Sequence, residues 1–374
     1  SSSAASDVYK RQGRICFSEA GMKEFYLGRT LVGLNHRPYF IADIAANHDG
    51  DLNRAKELVW IAKEAGADCA KFQHFLANQI VNDDEFKKLQ SLQTHQSGWE
   101  KSVSEIYDQY HFRREWTGEI FDECAKAEIE FSTSPYDFLA VDHVDEYVNF
   151  YKIGSGDISW IDLIQYIASK SKPVILATGA STLADVDRAV SALESSPLVL
   201  MQCNTNYTLE KDKHQFVNIK VLDLYRRQYP NLILGLSDHT LGHGSVLGSI
   251  PLGARVFEKH FTDDNDRIGP DHKFALNPQK WSEMIEMAYE VFETLGDGVK
   301  RVEKNEENAF IVQRRSIVAN KQLSIGHVVT TDDLEYLRPC PPDAFHPYEV
   351  EMLVGKALRV SKEENDAFLK SDLC

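Results

Sequence analysis

The sequence predicts an α/β protein, a (β/α)8 TIM barrel followed by a small β-rich domain. Three observations carry this reading. From Tyr39 onward, eight short apolar, β-branched runs alternate with amphipathic stretches of ten or more residues. The alternation extends over roughly 250 residues, the usual length of one closed barrel. It then gives way to a charged segment and to short strand-like runs punctuated by glycine and proline. An open, doubly wound sheet is the alternative topology that the same alternation allows.

The strand-like runs are residues 39–45, 68–73, 129–133, 150–154, 173–179, 198–203, 232–238 and 254–261. Between the first two lies a helical pattern over residues 52–66, where Leu52, Ala55, Leu58, Val59 and Ala62 recur at three- and four-residue steps. Residues 76–114 are polar, aromatic-rich and too long for a simple crossover, which predicts a helical lid over the barrel mouth. We expect residues 1–21 to be a disordered tail or cloning remnant with Met22 as the start, residues 22–296 to form the barrel, 297–312 a charged linker, and 313–374 the β-rich domain.

The chain has 374 residues, 43% hydrophobic, and 41 Lys+Arg against 57 Asp+Glu give it a net charge of −16. No run approaches the ~20 apolar residues of a membrane span. The acidity argues against nucleic-acid or anionic-membrane partners, so any anionic small substrate must be held by a few locally placed cations. The six cysteines (16, 69, 124, 203, 340 and 374) lack CxxC spacing and read as reduced thiols of a cytoplasmic protein.

A (β/α)8 barrel carries its site at the C-terminal ends of its strands. Those ends here are polar: Asp43 with Asn47-His48, Lys71 and Gln73, Ser132 and Thr133, Lys152 with Ser155 and Asp157, Thr178, Asn204 to Tyr207, Ser237 with Asp238 and His239, and Lys259 with His260. Lys71 and Lys152, with the hydroxyls of Thr133, Ser155, Thr178 and Ser237 around them, predict a cradle for phosphate plus carboxylate. His239 and His260 end neighbouring strands and can share one divalent metal. Asp43 and Asp157 are candidates for proton transfer or for orienting water, with helix capping as the structural alternative. Asp271, on the loop 266–273, suits substrate positioning.

The phrases that contain these residues, IADIAANHDGD (41–51), GADCAKFQ (66–73), YKIGSGD (151–157), GLSDHT (235–240), GARVFEKHFTDD (253–264) and RIGPDHK (267–273), resemble the sialic acid synthase family of phosphoenolpyruvate-dependent nonulosonate synthases. RRSIVANKQLSIGHVVTTDDLEYLRP (314–339) is similar to the antifreeze-like (SAF) domain that follows the barrel in that family. The resemblance implies condensation of phosphoenolpyruvate with an N-acetylated aminohexose, typically N-acetylmannosamine, to a nine-carbon 2-keto acid and phosphate. It implies that Lys71, Thr133, Lys152, Ser155 and Ser237 hold phosphoenolpyruvate, with either Asn204 or Thr205 beside them. It implies Mn2+ or Mg2+ on His239 and His260, and sugar contacts from Gln73, Asp157, Tyr207 and Asp271. Arg338 matches an arginine that reaches the sugar from the other subunit, which implies a domain-swapped homodimer.

Three positions depart from the family pattern. Asp43 and Asp157 stand where glutamates are usual, each retracting the carboxylate by about 1.5 Å, and Ala177 replaces a serine of the phosphate site. A legionaminic or pseudaminic acid synthase acting on a diacetamido-trideoxyhexose is the alternative within the family, and a non-catalytic sugar-binding barrel is the alternative outside it.

Overall fold

The computed structural model describes residues 16–17, 23–89, 96, 99–207 and 213–373. Residues 1–15 and 18–21 of the expected N-terminal tail, Met22, Cys374 and part of the expected lid (90–95 and 97–98) lie outside the described residues, whereas Cys16–Phe17 of that tail is a short strand paired antiparallel with Lys23 and Glu24. The chain divides into two compact units, Ser1–Leu295 and Gly296–Cys374.

The first unit is an eight-stranded parallel, nearly closed barrel. Its strands are β1 (Tyr39–Asp43), β2 (Cys69–His74), β3 (Glu130–Pro135), β4 (Tyr151–Ile153), β5 (Val174–Ala177), β6 (Leu198–Cys203), β7 (Ile233–Asp238) and β8 (Ala254–His260). Hydrogen bonding runs in the order β3-β2-β1-β8-β7-β6-β5-β4, so the first and last strands are neighbours and the doubly wound alternative is excluded. The crossovers include α1 (Leu52–Glu64), whose N-cap Asp51 accepts from Asn53 and Arg54 N–H at 2.8 and 3.2 Å. The face predicted from its periodicity, Ala55, Leu58, Val59 and Ala62, is the buried one.

Both faces of each strand are covered, so the strands read as unbroken apolar runs; parity alone separates the layers. On β1, Phe40 and Ala42 face the helices, whereas Tyr39 and Ile41 face the barrel interior. The interior is apolar at the N-terminal end, where Phe25, Leu27 and Val32 of the antiparallel strands Lys23–Leu27 and Thr30–Val32 join Ile41, Phe150, Ile175, Val199 and Ile233. The same inward parity continues upward into polar residues. Asp43 is in register with Lys71 and His260, Lys71 with Ser132, and Ser237 with Cys203 and Glu258. The chemistry therefore sits on top of a plugged barrel. Gly235 is needed in this packing, because a Cβ there would lie 2.5 Å from the Val256 carbonyl oxygen.

The insertion after β2 is helical, as its composition predicts. It contains α2 (Ala77–Ile80), α3 (Asp83–Lys88) and α4 (Val103–Tyr110), the last with a Ser102/Glu105 capping box. The second unit has its own core of Ile317, Leu323, Val329, Phe345, Leu353, Leu358 and Phe368 beside the antiparallel pair β9 (Ser316–Ala319) and β10 (Leu334–Leu337). Within the segment expected as a linker, Glu307–Val312 is a short helix. Among the described residues no helix is long and apolar enough to cross a membrane. Cys69, Cys124, Cys203 and Cys340 are free and buried.

Candidate active site

A cavity of about 280 Å³ opens at the C-terminal end of the barrel. Of the residues singled out in the sequence, Asp43, Lys71, Gln73, Lys152, Ser155, Thr205, Tyr207, Ser237, His239, His260 and Asp271 all line it. Residues from eight separate strand ends and loops are thus brought to one volume.

Its floor is a buried set of alternating charges. Lys71 Nζ lies 2.8 Å from Asp43 Oδ2 and 3.8 Å from Glu258 Oε2, and Lys152 Nζ lies 3.2 Å from Glu258 Oε1. Ser237 Oγ donates to the same Glu258 oxygen at 3.2 Å. Burial alone would strip the Lys71 charge, but Asp43 and Glu258 outweigh it, so the ammonium is held above its ordinary pKa. Burial also raises Glu258, yet the two lysines outweigh it and hold the carboxyl down. For Asp43, burial and the like charge of Glu258 outweigh the pull of Lys71, and its pKa is raised. The floor therefore sets two buried lysines against carboxylates that belong to the protein, Lys71 with Asp43 and Glu258 and Lys152 with Glu258.

One wall is made by the imidazoles. The His239 and His260 ring centroids are 5.5 Å apart, with the Tyr207 ring 4.3 Å from the first and 6.0 Å from the second. His239 Nδ1 lies 2.8 Å from the Asn204 carbonyl oxygen. A carbonyl can only accept, so Nδ1 carries the proton and Nε2 presents a lone pair. Burial and the neighbouring His260 ring push the His239 pKa well below its ordinary value, which keeps the ring neutral. His260 Nε2 is 3.8 Å from Asp43 Oδ2, and Nδ1 is 4.0 Å from Asp271 Oδ2, distances longer than hydrogen bonds. Among the described residues no group of three or more His, Cys, Asp or Glu is arranged to hold an ion. The two imidazoles, beside a buried Asp43 Oδ1 that has no hydrogen-bond partner among the described residues, nevertheless fit a divalent cation that takes its remaining ligands from substrate or water.

Strand parity and turn geometry place four of the residues singled out in the sequence off the cavity lining. Thr133 is in register with Phe72, on the helix-facing side, and its Oγ1 is spent on His74 Nδ1 at 2.7 Å; Ser134, in register with Gln73, lines the cavity in its place. Lys259 likewise points away from the cavity, into a buried pair with Asp238 at 2.5 Å, and Glu258 takes the inward position. Thr178 donates to the Met201 carbonyl at 2.8 Å and does not line the cavity. Asp157 ends the 3-10 turn Ser155–Asp157, which places Ser155 and Gly156 on the cavity wall and leaves the shortened carboxylate beyond it. Burial pushes Asp157 up to about 6, against the pull of Lys152.

Thr205 lines the cavity, whereas Asn204 turns its amide to the Phe216 carbonyl at 3.1 Å. Asp43 reaches the site in spite of its length, touching Lys71 directly and Gln73 Nε2 at 3.4 Å. Ala177 also lines the cavity. His48 is a core residue, packed on Phe112 and Trp116 with its pKa lowered by burial to about 4. Arg338 lies on the second unit, exposed, one residue past β10. Glu258, Ser134, Cys203 and Tyr136 are lining residues that sequence reading missed. The two-residue step from His260 to Glu258 was the available signal for the first of them.

Comparison with known proteins adds a family. The NeuB family pattern matches residues 58–300, and that of the SAF domain residues 314–373. The chain is 30% identical to an N,N'-diacetyllegionaminic acid synthase of Campylobacter jejuni, over 87% of this chain and 97% of that protein. It is also 30% identical to the human N-acetylneuraminate-9-phosphate synthase, over 91% and 93%. A solved N-acetylneuraminic acid synthetase of Leptospira borgpetersenii, in complex with citrate, matches with a TM-score of 0.69 at 24% identity, over 77% of this chain and 95% of that one, a likeness of fold.

Proposed function

From the premise that this chain belongs to the NeuB family, we propose that it condenses phosphoenolpyruvate with an N-acetylated aminohexose, such as N-acetylmannosamine, to a nine-carbon 2-keto acid and phosphate. The observation that carries this reading is the buried cavity floor, where Lys71 and Lys152 stand in a cavity shared with the His239/His260 pair. A sugar-binding barrel without chemistry would gain nothing from two lysines buried at such desolvation cost.

Lys71 and Lys152 hold the phosphate and carboxylate of phosphoenolpyruvate, and Ser134, Ser155, Thr205 and Ser237 supply oriented hydroxyl donors. Gln73, Tyr207 and Asp271 orient the sugar. His239 and His260 hold Mn2+ or Mg2+, which when bound supplies Lewis-acid polarisation of an aldehyde oxygen. With the two substrates aligned, C3 of phosphoenolpyruvate bonds to the aldehyde carbon, and Asp43 orients the water that adds at C2. Cleavage of the C2–O bond then releases phosphate. Arg338 reaches the acceptor's N-acetyl group from the other subunit of a domain-swapped homodimer.

The test is phosphate release from phosphoenolpyruvate in the presence of a divalent cation, with and without an N-acetylated aminohexose, and with mass spectrometry of the product. Release that requires both acceptor and cation, with one keto acid formed per phosphate, supports the reading. Product with unchanged phosphoenolpyruvate, or phosphate without acceptor, contradicts it.

A further inference from the structure

The outer half of the cavity differs in chemistry from its floor. Three elements of the insertion contribute to it: α2 with Ile80, the segment before α4 with Trp99, and α4 with Ile106, Tyr107 and Tyr110. They are tied to the barrel through rings. Phe75, just past β2, lies 5.2 Å from Tyr107 and edge-on to Tyr136 at 5.9 Å, and Trp99 lies 6.3 Å from Tyr107. The wall is therefore continuous from the barrel rim to the insertion. Two of its hydroxyls are already engaged: Tyr107 Oη accepts from Gln96 Nε2 at 3.1 Å, and Tyr110 Oη donates to the Ile268 carbonyl at 3.5 Å.

The charges are equally one-sided. Among the described lining residues the only lysines or arginines are Lys71 and Lys152, both on the floor and both already paired with carboxylates. The remaining ionic side chain toward the insertion is Asp271, on the loop facing Tyr107. A phosphate dianion placed against this wall would lose its hydration, meet no cation among the described wall residues and face a carboxylate. A methyl or acetamido group there would cover ring faces and the Ile80 and Ile106 side chains, gaining burial.

We infer that the insertion wall is a specificity element that selects an acceptor whose far end is uncharged and carries apolar or acylamido substituents, and that it rejects a phosphorylated hexosamine. This rests on the synthase reading of the cavity floor and adds to it what the floor does not decide. Trp99 and Ile106 are its central specificity residues; both touch substrate in this account and neither takes part in bond making.

The experiment compares kcat/KM for three acceptors at saturating phosphoenolpyruvate and Mn2+: N-acetylmannosamine, its 6-phosphate, and a 2,4-diacetamido-2,4,6-trideoxyhexose. The 6-phosphate should fall at least about tenfold below the better uncharged acceptor; a smaller gap, or a preference for the phosphorylated sugar, overturns the inference while leaving the synthase reading intact. Turnover of none of the three overturns both. Two variants locate the effect. Ile106→Arg should raise kcat/KM for the 6-phosphate relative to the uncharged sugars, and Trp99→Ala should raise KM for the trideoxy sugar several-fold with kcat nearly unchanged. Selectivity that neither variant moves places the determinant elsewhere and overturns the assignment to the wall.

Discussion

Replacing Glu258 by glutamine preserves the shape of the cavity floor and removes the charge that Lys152 and Lys71 share. At 3.2 Å the Lys152 contact corresponds to about 5 kcal/mol at an effective dielectric of ~20. Relief of the carboxylate's own burial cost offsets part of that, and Lys71 keeps Asp43 at 2.8 Å. The net loss should be about 3 kcal/mol, the low end for breaking a buried pair from one side. For a barrel unit of this size it should lower Tm by roughly 6 °C. Phosphoenolpyruvate brings its own anions to the same lysines. Its stabilising effect should therefore be larger in Glu258→Gln than in the parent protein, recovering most of the loss at saturation. Thermal unfolding followed by tryptophan fluorescence, with and without phosphoenolpyruvate, reads both quantities. An equal ligand-induced rise in Tm in the two proteins would refute the claim that Glu258 is the stand-in for the substrate's charge.

Other perturbations probe separate parts of the site and fold. Changing His239 and His260 together to alanine should abolish stoichiometric Mn2+ binding, measured by equilibrium dialysis, and leave the fold intact by circular dichroism. Ala177→Ser puts a hydroxyl on the cavity wall and should lower KM for phosphoenolpyruvate by about fivefold, the value of one added hydrogen bond of about 1 kcal/mol. Burial raises Asp263, but its hydrogen bond and ion pair with Arg54 outweigh that and hold the carboxyl down to about 2. A depressed folded pKa stabilises above the unfolded value of ~3.9 and the gain is lost as pH falls through about 2. Asp263→Asn should therefore be less stable than the parent by about 2 kcal/mol at pH 7, with the gap closing toward pH 2, as urea denaturation at the two pH values would show.

Most of the architecture was legible because strand content and position are written in local composition. All eight barrel strands fall where β-branched runs predict them, and the insertion forms helices as expected. Parity within a strand was not legible. In FSTSP, buried on both faces, no alternation of polar and apolar residues tells Thr133 from Ser134, and in EKH only the two-residue step back from His260 tells Glu258 from Lys259. The distinction is made by register with the neighbouring strand: Lys71 pairs with Ser132, and Ser237 with Glu258. Asp157 shows a different limit, since the reach of a carboxylate from a 3-10 turn depends on backbone geometry that a motif does not carry. The aromatic wall was legible only in part: the aromatic-rich insertion that holds Trp99 and Tyr107 reads as a lid, but its ring contacts with Phe75 on the barrel rim, and those of Phe75 with Tyr136, form only in space.

The most direct test of the cavity floor as a phosphoenolpyruvate site is calorimetric titration of that ligand into the parent protein and into Lys152→Met. Lys152 is 2% exposed and faces the cavity, so its loss removes one of the two floor cations. The expected result is saturable binding by the parent that weakens by about a hundredfold in the variant, in keeping with the loss of a buried charge-assisted contact. Equal affinity in the two proteins, or no binding by the parent, would contradict the account.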